Sequence, residues 1–362
     1  MSQEDVMQNG QNPFSNTFGI KPKQYVANDQ MYEVLNNFAY PEPTERAYMI
    51  TGVRGSGKTV MLTDISERIS ESDGWSVVNI LPGNDMLQSL ASKLYSHPLF
   101  KGMFSNLKLD VSFFGIGVSA ETDGDKFFNL ESALERMLAE IKKQNRKILI
   151  TVDEAEPGPG MERFCLAFQS FIRSEYPVYL IMTGLYNKIS DIQKMDKCTF
   201  LIRTPKIVLA PLDESEIALS YKKVFSLSKE DAVRLARLTK GYAYAYQTLG
   251  RLYFNREKHR SFEELTEEYK RELIRYSYKT IWSELSPRDT EFIKGLVEIN
   301  GDGSVKTEEL KAKTGFSSAM VNEYKDRLRE AGIINPAEKS TRGRYWIILP
   351  MFADFVKDYH MD

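Results

Sequence analysis

The string GVRGSGKT, Gly52–Thr59, constrains this chain more than any other stretch. It meets the pattern G-x-x-x-x-G-K-[ST] at every fixed position. It also sits between a short aliphatic run, AYMIT, and an amphipathic stretch led by Met61, Ile65 and Ile69. A strand that turns sharply into a helix through glycines presents backbone N–H groups and the positive helix end to one point, which suits phosphate oxygens. Gly52, Gly55 and Gly57 allow that turn, and Val53, Arg54, Ser56 and Val60 complete the cradle. Lys58 is placed to bridge β- and γ-phosphates, and the Thr59 hydroxyl to ligate Mg²⁺. ATP and Mg²⁺ are the cofactors expected.

A loop of this kind needs an acidic residue at the end of another strand, and KILITVDEAE supplies it. Asp153 is placed to orient Mg²⁺ through water, and Glu154 to polarise the attacking water as general base. Strands are predicted at Ala47 to Thr51, Trp75 to Leu81, Lys147 to Val152, Val178 to Met182 and Lys206 to Ala210. These runs lack polar alternation, as strands covered by helices on both faces do. The fold class is therefore α/β with a parallel sheet.

Composition narrows the remaining choices. The 362 residues are 42% hydrophobic and 27% charged, longer than one average domain. Lys plus Arg (48) nearly balance Asp plus Glu (50), so any nucleic-acid contact must come from a local patch. Cys165 and Cys198, the two cysteines, have no metal-ligand spacing, and a reducing compartment is expected. The polar start and the lack of a long apolar run predict a cytoplasmic protein with no membrane partner.

Along the chain, residues 1–46 read as a leading segment with a first helix, and 47–211 as the nucleotide-binding core. Asp85 to Ser96 and Asn129 to Lys143 read as helices. Leu107 to Ala120 looks extended around FFGIG, whose Gly115 and Gly117 suit a hairpin turn since no Lys-Ser/Thr follows. From the capping box Asp213 to Glu216 the pattern becomes helix upon helix, which predicts a helical lid and charged connector over 212–285. Residues 286–362 read as helix, helix, helix and wing, with strands near Ile333 and at Arg344 to Leu349.

Together, the phosphate loop, the Asp-Glu pair, the strand YLIMTG and the helical lid resemble the AAA+ superfamily, in its initiator-like and archaeal-type group near the STAND branch. The resemblance covers roughly Asn12 to Tyr253 and implies a nucleotide switch that self-assembles. It implies that Tyr25 and Val26 flank adenine, although Asn28 and Asp29 replace the usual Gly-Arg pair. It also implies that Thr183 senses the γ-phosphate and that Arg203 reaches a neighbouring subunit's nucleotide. In KGYAYAYQTLG, Tyr244 stands where many relatives of this type carry arginine, which implies slow or regulated hydrolysis.

The tail resembles a winged helix-turn-helix, and such a module engages duplex DNA through a recognition helix and wing, here residues 317–344. Lys325, Arg327 and Arg329 lie along the helix, Lys339, Arg342 and Arg344 on the wing, and Ser317, Ser318 or Asn322 could reach base edges. Twelve basic against thirteen acidic residues from Ser286 to Asp362 leave protein packing as the competing role. A STAND-like signalling or defence regulator, or a helper ATPase for transposition or phage replication, would share the same chemistry.

Overall fold

Aliphatic and β-branched runs form five strands in the computed structural model, which describes residues 11–17, 19–100, 102–104, 123–256, 261–336 and 342–361. They are β1 (Ala47–Thr51), β2 (Trp75–Ile80), β3 (Lys147–Val152), β4 (Val178–Gly184) and β5 (Lys206–Val208). The spatial order is β2-β3-β4-β1-β5, and β1–β4, β3–β4 and β2–β3 pair in parallel. Every residue of β1 and β4 is buried, so helices must cover both faces, as the unbroken apolar runs predicted. The fold is the α/β arrangement expected from the sequence, a parallel sheet with a glycine-rich turn from β1 into the next helix. β4 runs two residues past its predicted end, while β5 stops two residues before its own.

The order matters for chemistry because β4 separates the loop-bearing β1 from the acid-bearing β3. Register aligns their ends: Thr51 pairs with Gly184, Ile50 with Thr183, and Val152 with Met182. In open parallel sheets this carboxyl edge is where ligands bind.

The chain divides into two compact units. One holds residues 30–51 and 61–207. Its core is built on β1 to β4 with α3 (Met86–Ser96), α4 (Asp123–Lys143), α5 (Pro159–Arg173) and α6 (Tyr186–Lys194). Helices α1 (Met31–Ala39) and α2 (Lys58–Ser70) flank β1 in the chain. Leu134, Leu138, Phe164, Phe168 and Phe171 are fully covered there. Gly160, near the start of α5, lies so close to the backbone of Gly83 and Asn84 that no side chain would fit.

The other unit holds residues 1–29, 52–60 and 208–362, so the phosphate loop clusters with the C-terminal half of the chain. The lid comprises α7 (Glu214–Phe225), α8 (Lys229–Arg237) and α9 (Ala243–Asn255). Asp213 caps α7 by accepting from the Ser215 and Glu216 N–H groups. The leading segment threads onto this lid: Phe14 enters an aromatic cluster with Tyr221, Phe225 and Tyr246, in space left by Gly250.

The expected helical connector is interrupted. It consists of α10 (Phe262–Leu273), a π-turn at Ile274–Tyr278 and α11 (Lys279–Ser283). A π-turn adds a residue to the helical repeat, so side chains after it face a new direction. Here it buries Ser277 and Tyr278, and the Tyr278 hydroxyl donates to the Pro350 carbonyl.

The tail is a winged helix: α12 (Pro287–Asn300), α13 (Thr307–Thr314), α14 (Ser318–Glu330) and α15 (Phe352–His360) surround an antiparallel pair, β6 (Val305–Lys306) with β7 (Arg344–Tyr345). The strand expected near Ile333 is only a bridge between Ile334 and Ile347. Lid, connector, winged helix and Val53 of the loop share one hydrophobic core, so the expected division at 285/286 does not separate cores. The expected extended stretch Leu107 to Ala120, with Gly115 and Gly117, lies outside the described residues, as do Glu338 and Lys339. No described helix is long and apolar enough to cross a membrane.

Candidate functional site

Gly55 and Gly57 adopt φ of 74° and 99°, which reverses the chain between β1 and α2. Gly55 has a second reason to be glycine. A Cβ there would lie 2.5 Å from the Tyr242 hydroxyl and 2.7 Å from the Tyr244 Cβ. The lid therefore sits directly on the loop. The Tyr244 N–H, at the start of α9, donates to the Gly55 carbonyl at 2.9 Å. The Tyr242 hydroxyl donates to the Arg54 carbonyl at 2.5 Å and meets the Ser277 hydroxyl at 2.7 Å. Burial pushes the Tyr242 hydroxyl well above its ordinary range, so it is a permanent neutral donor.

Two further residues of this unit touch the loop. The Arg54 guanidinium donates to Glu284 at 2.7 Å. A Cβ built on Gly332, just beyond α14, would come within 3.5 Å of the Val53 nitrogen.

Inside the loop, the Lys58 ammonium donates to the Gly52 and Val53 carbonyls at 2.9 and 2.8 Å. The Ser56 hydroxyl is buried and makes no hydrogen bond. A glycine-bent nest with a cation across it and an unsatisfied hydroxyl within it matches the needs of a phosphate chain, so the residues present fit the nucleotide. Thr59 is the second residue of α2, partly exposed, and Val60 follows it.

Tyr25 and Val26 are half-buried in the same unit. Val26 packs against its core, and the Lys21 ammonium lies 4.5 Å from the Tyr25 ring centre. The segment is anchored near the loop, since the Asn28 amide donates to the Ala210 carbonyl at 3.1 Å and Leu209 lies against Gly52.

The acidic corner belongs to the other unit. Asp153 follows β3 and is half-buried, while Glu154 is exposed at φ 53°. A β-strand cannot continue through a left-handed residue, so the chain breaks here and turns the Glu154 carboxylate out of the strand line. The turn is held by Thr183, which is fully buried. Its hydroxyl donates to Asp153 Oδ1 and accepts from the Glu154 N–H at 3.3 Å, while its carbonyl accepts from the Ala155 N–H at 2.7 Å. Thr183 thus grips the acidic pair rather than presenting a free hydroxyl, a role the sequence did not reveal. Arg203 ends a 3₁₀ turn, Thr199–Arg203, and is exposed beside Ile202, itself 63% exposed. Asp153 and its carboxylate neighbour form no ready-made metal cage, and no cluster of three or more His, Cys, Asp or Glu side chains suited to a metal occurs among the described residues. A single carboxylate acting with a threonine hydroxyl and phosphate oxygens is the usual protein share of an Mg²⁺ shell.

In the winged helix, α14 does not present the basic face expected. Arg327 points inward, donating from Nε to Asp289 Oδ1 at 2.8 Å and from Nη2 to the Ser286 hydroxyl at 2.6 Å. Arg329 donates to the Asn335 carbonyl, and Lys325 to Asn322. The Ser317 hydroxyl is spent capping the helix. Ser318, Ala319, Asn322, Glu323 and Asp326 are the exposed residues of α14, none of them basic, while Arg342 and Arg344 are exposed on the wing.

Tyr242, Ser277 and Glu284 were not singled out from sequence as loop contacts. Tyr242 lies in the quoted KGYAYAYQTLG, but Ser277 and Glu284 fall in a charged stretch that reads as solvated helix.

A family model for a domain of unknown function, DUF8462, matches residues 275–356, from the π-turn through most of α15. No curated protein matches the sequence. Among solved structures, the chain is similar to the Walker-type ATPase PABY2304 of Pyrococcus abyssi. Identity is 13%, 91% of this chain and 95% of that one are covered, and the TM-score is 0.57. It is also similar to the ORC2 protein of Aeropyrum pernix, solved in ADPNP and ADP complexes, at 12% identity, 91% coverage of each chain and a TM-score of 0.50. At these identities the likeness shows the fold.

Proposed function

We propose that this chain is an ATP-binding switch that hydrolyses ATP slowly with Mg²⁺, and that its connector and winged helix read the state of the phosphate loop. The observation that carries this reading is the grip on the loop backbone by Tyr242, itself bonded to Ser277. Phosphate entering the nest draws Lys58 off the Gly52 and Val53 carbonyls. The freed carbonyls and the adjacent Arg54 carbonyl then change their demands on lid and connector.

In this reading Gly52 to Val60 hold the phosphates, and Tyr25 and Val26 flank the base. Thr59 and Asp153 would hold Mg²⁺, which when bound neutralises charge on the transferring phosphoryl group. Glu154 accepts the proton of the attacking water, and Thr183 holds the Asp153 carboxylate and the Glu154 backbone N–H. Arg203 completes a neighbour's site in a self-assembled form. The lid tyrosines supply no cation to the γ-phosphate, which favours slow turnover. The proposed setting is cytoplasmic.

Lys58→Ala tests the nucleotide assignment by calorimetry: ATP affinity falls at least tenfold, and unchanged affinity removes it. Exposed Arg342 and Arg344 favour a second reading, in which the wing grips duplex DNA in one nucleotide state. Sizing with ATP or ADP, with and without duplex, separates the two: a nucleotide-dependent change without DNA supports the first, and a DNA-dependent one the second.

A further inference from the structure

The π-turn and α11 put Arg275, Tyr276, Lys279 and Thr280 on one exposed face of the connector, with Ser277, Tyr278 and Ile281 buried behind them. Tyr276 is 59% exposed, and the Arg275 guanidinium lies 5.1 Å from its ring centre. The next cation along this face, the Lys279 ammonium, lies 5.8 Å from the ring centre of Tyr359, which is 56% exposed near the end of α15. Phe355 backs that ring, with centres 5.6 Å apart. Two open aromatic rings, each with a cation beside it, therefore adjoin through Lys279. A single exposed tyrosine is ordinary, but two set beside two cations by different helices make a surface with both charge and open π-faces.

The cations are available because the neighbouring carboxylates are engaged elsewhere. Asp358, next to Tyr359, accepts from Lys270 at 2.9 Å, and Asp354 one turn earlier also acts on Lys270. Glu272 is bonded to Arg251, and Glu284 to Arg54. Among the described residues, Arg275 and Lys279 enter no ion pair.

We propose that this face binds single-stranded nucleic acid, with a base stacked on each of Tyr276 and Tyr359 and backbone phosphates on Arg275 and Lys279. A duplex keeps its bases stacked inside, so it satisfies the cations and offers nothing to the rings. An acidic peptide likewise uses the charges alone. A single strand uses both, because every base has a π-face and every linkage a phosphate. DNA and RNA share this chemistry. The site is separate from Arg342 and Arg344 on the wing, and it stands whether or not the loop binds ATP.

The test measures fluorescence anisotropy of the full chain with labelled oligothymidylate or oligouridylate of about 20 nucleotides, and with a duplex of equal length, at about 50 mM salt. Binding of either strand is expected, and the tighter one names the sugar. Tyr276→Ala and Tyr359→Ala are each expected to weaken it at least about fivefold while duplex binding stays as it was, and Tyr276→Phe and Tyr359→Phe to bind as wild type does. Arg275→Gln with Lys279→Gln touches neither ring and is expected to make the single-strand salt slope shallower by about 1.4 log units per log salt, for two phosphates. No single-strand binding by wild type, an unchanged slope in the glutamine pair, or tyrosine variants that lose duplex and single strand equally would each overturn the proposal. Displacement of the strand by polyglutamate at equal charge concentration would assign the face to an acidic protein instead.

Discussion

Arg54 of the phosphate loop donates from Nε to Glu284 at 2.7 Å, at the end of the connector helix α11. A side chain one bond removed from the nucleotide cradle is thus tied to a residue 230 positions away. The pair is partly exposed, at 48% and 27%, so its energy is modest. Glu284→Gln is expected to leave the fold intact and to change the release rate of a fluorescent ADP analogue by roughly two- to fivefold, the range of an exposed ion pair of about 0.5–1 kcal/mol. Stopped-flow displacement checks this, and an unchanged rate would show that the connector does not feel the loop.

Glu154 combines a catalytic assignment with φ 53°, which ordinary residues avoid. Glu154→Gln is expected to bind ATP as wild type does and to lose at least about 10²-fold in hydrolysis. Glu154→Gly is expected to be equally inactive without loss of stability, a change between zero and about +1 kcal/mol, since glycine adopts this conformation freely. Thermal melts and phosphate release measure the two effects separately. A glycine variant that melts several degrees lower would mean that the carboxylate supports the fold.

Arg327→Ala is expected to destabilise the C-terminal unit rather than simply weaken DNA binding. Asp289 is 7% exposed on its side chain and would lose the guanidinium that compensates it. Removing one partner of a buried pair costs about 3–5 kcal/mol; with Arg327 34% exposed, about 2–3 is expected. Denaturant unfolding reads this directly, and an unchanged midpoint would contradict the inward role.

Arg342 and Arg344 carry the opposite expectation. Changed together to Ala, they should leave stability and nucleotide affinity untouched. If the wing contacts duplex DNA, binding weakens at all sequences and the salt slope becomes shallower by about 1.8 log units per log salt, for two phosphate contacts. A slope equal to wild type, or no duplex binding by wild type at low salt, leaves the winged helix a protein-packing module.

Local patterns were enough for the parallel sheet and the glycine-rich loop because their signals are local. A glycine-rich turn between strand and helix leaves its own trace in GVRGSGKT, and the unbroken apolar runs of β1, β3 and β4 mark strands covered on both faces. Thr183 is marked in the sequence by its place near the end of such a strand, but its partner was not legible. Whether a hydroxyl meets a ligand or the Asp153 carboxylate depends on the order of strands, which no single segment records. The basic helix was misjudged for a related reason. Lys325, Arg327 and Arg329 occur in series, yet helical geometry and a buried Asp289 on α12 turn Arg327 inward.

By itself, then, the sequence determined the class of sheet, the phosphate loop, the acidic corner and the winged-helix order, because each rests on the chemistry of neighbouring residues. Tertiary structure alone decided that lid, connector and winged helix form one core with Val53, and that Tyr242 and Glu284 hold the loop. Those contacts join residues far apart in the chain. Their specificity comes from burying shared apolar surface and satisfying the polar groups trapped beside it, quantities that exist only once the chain has packed.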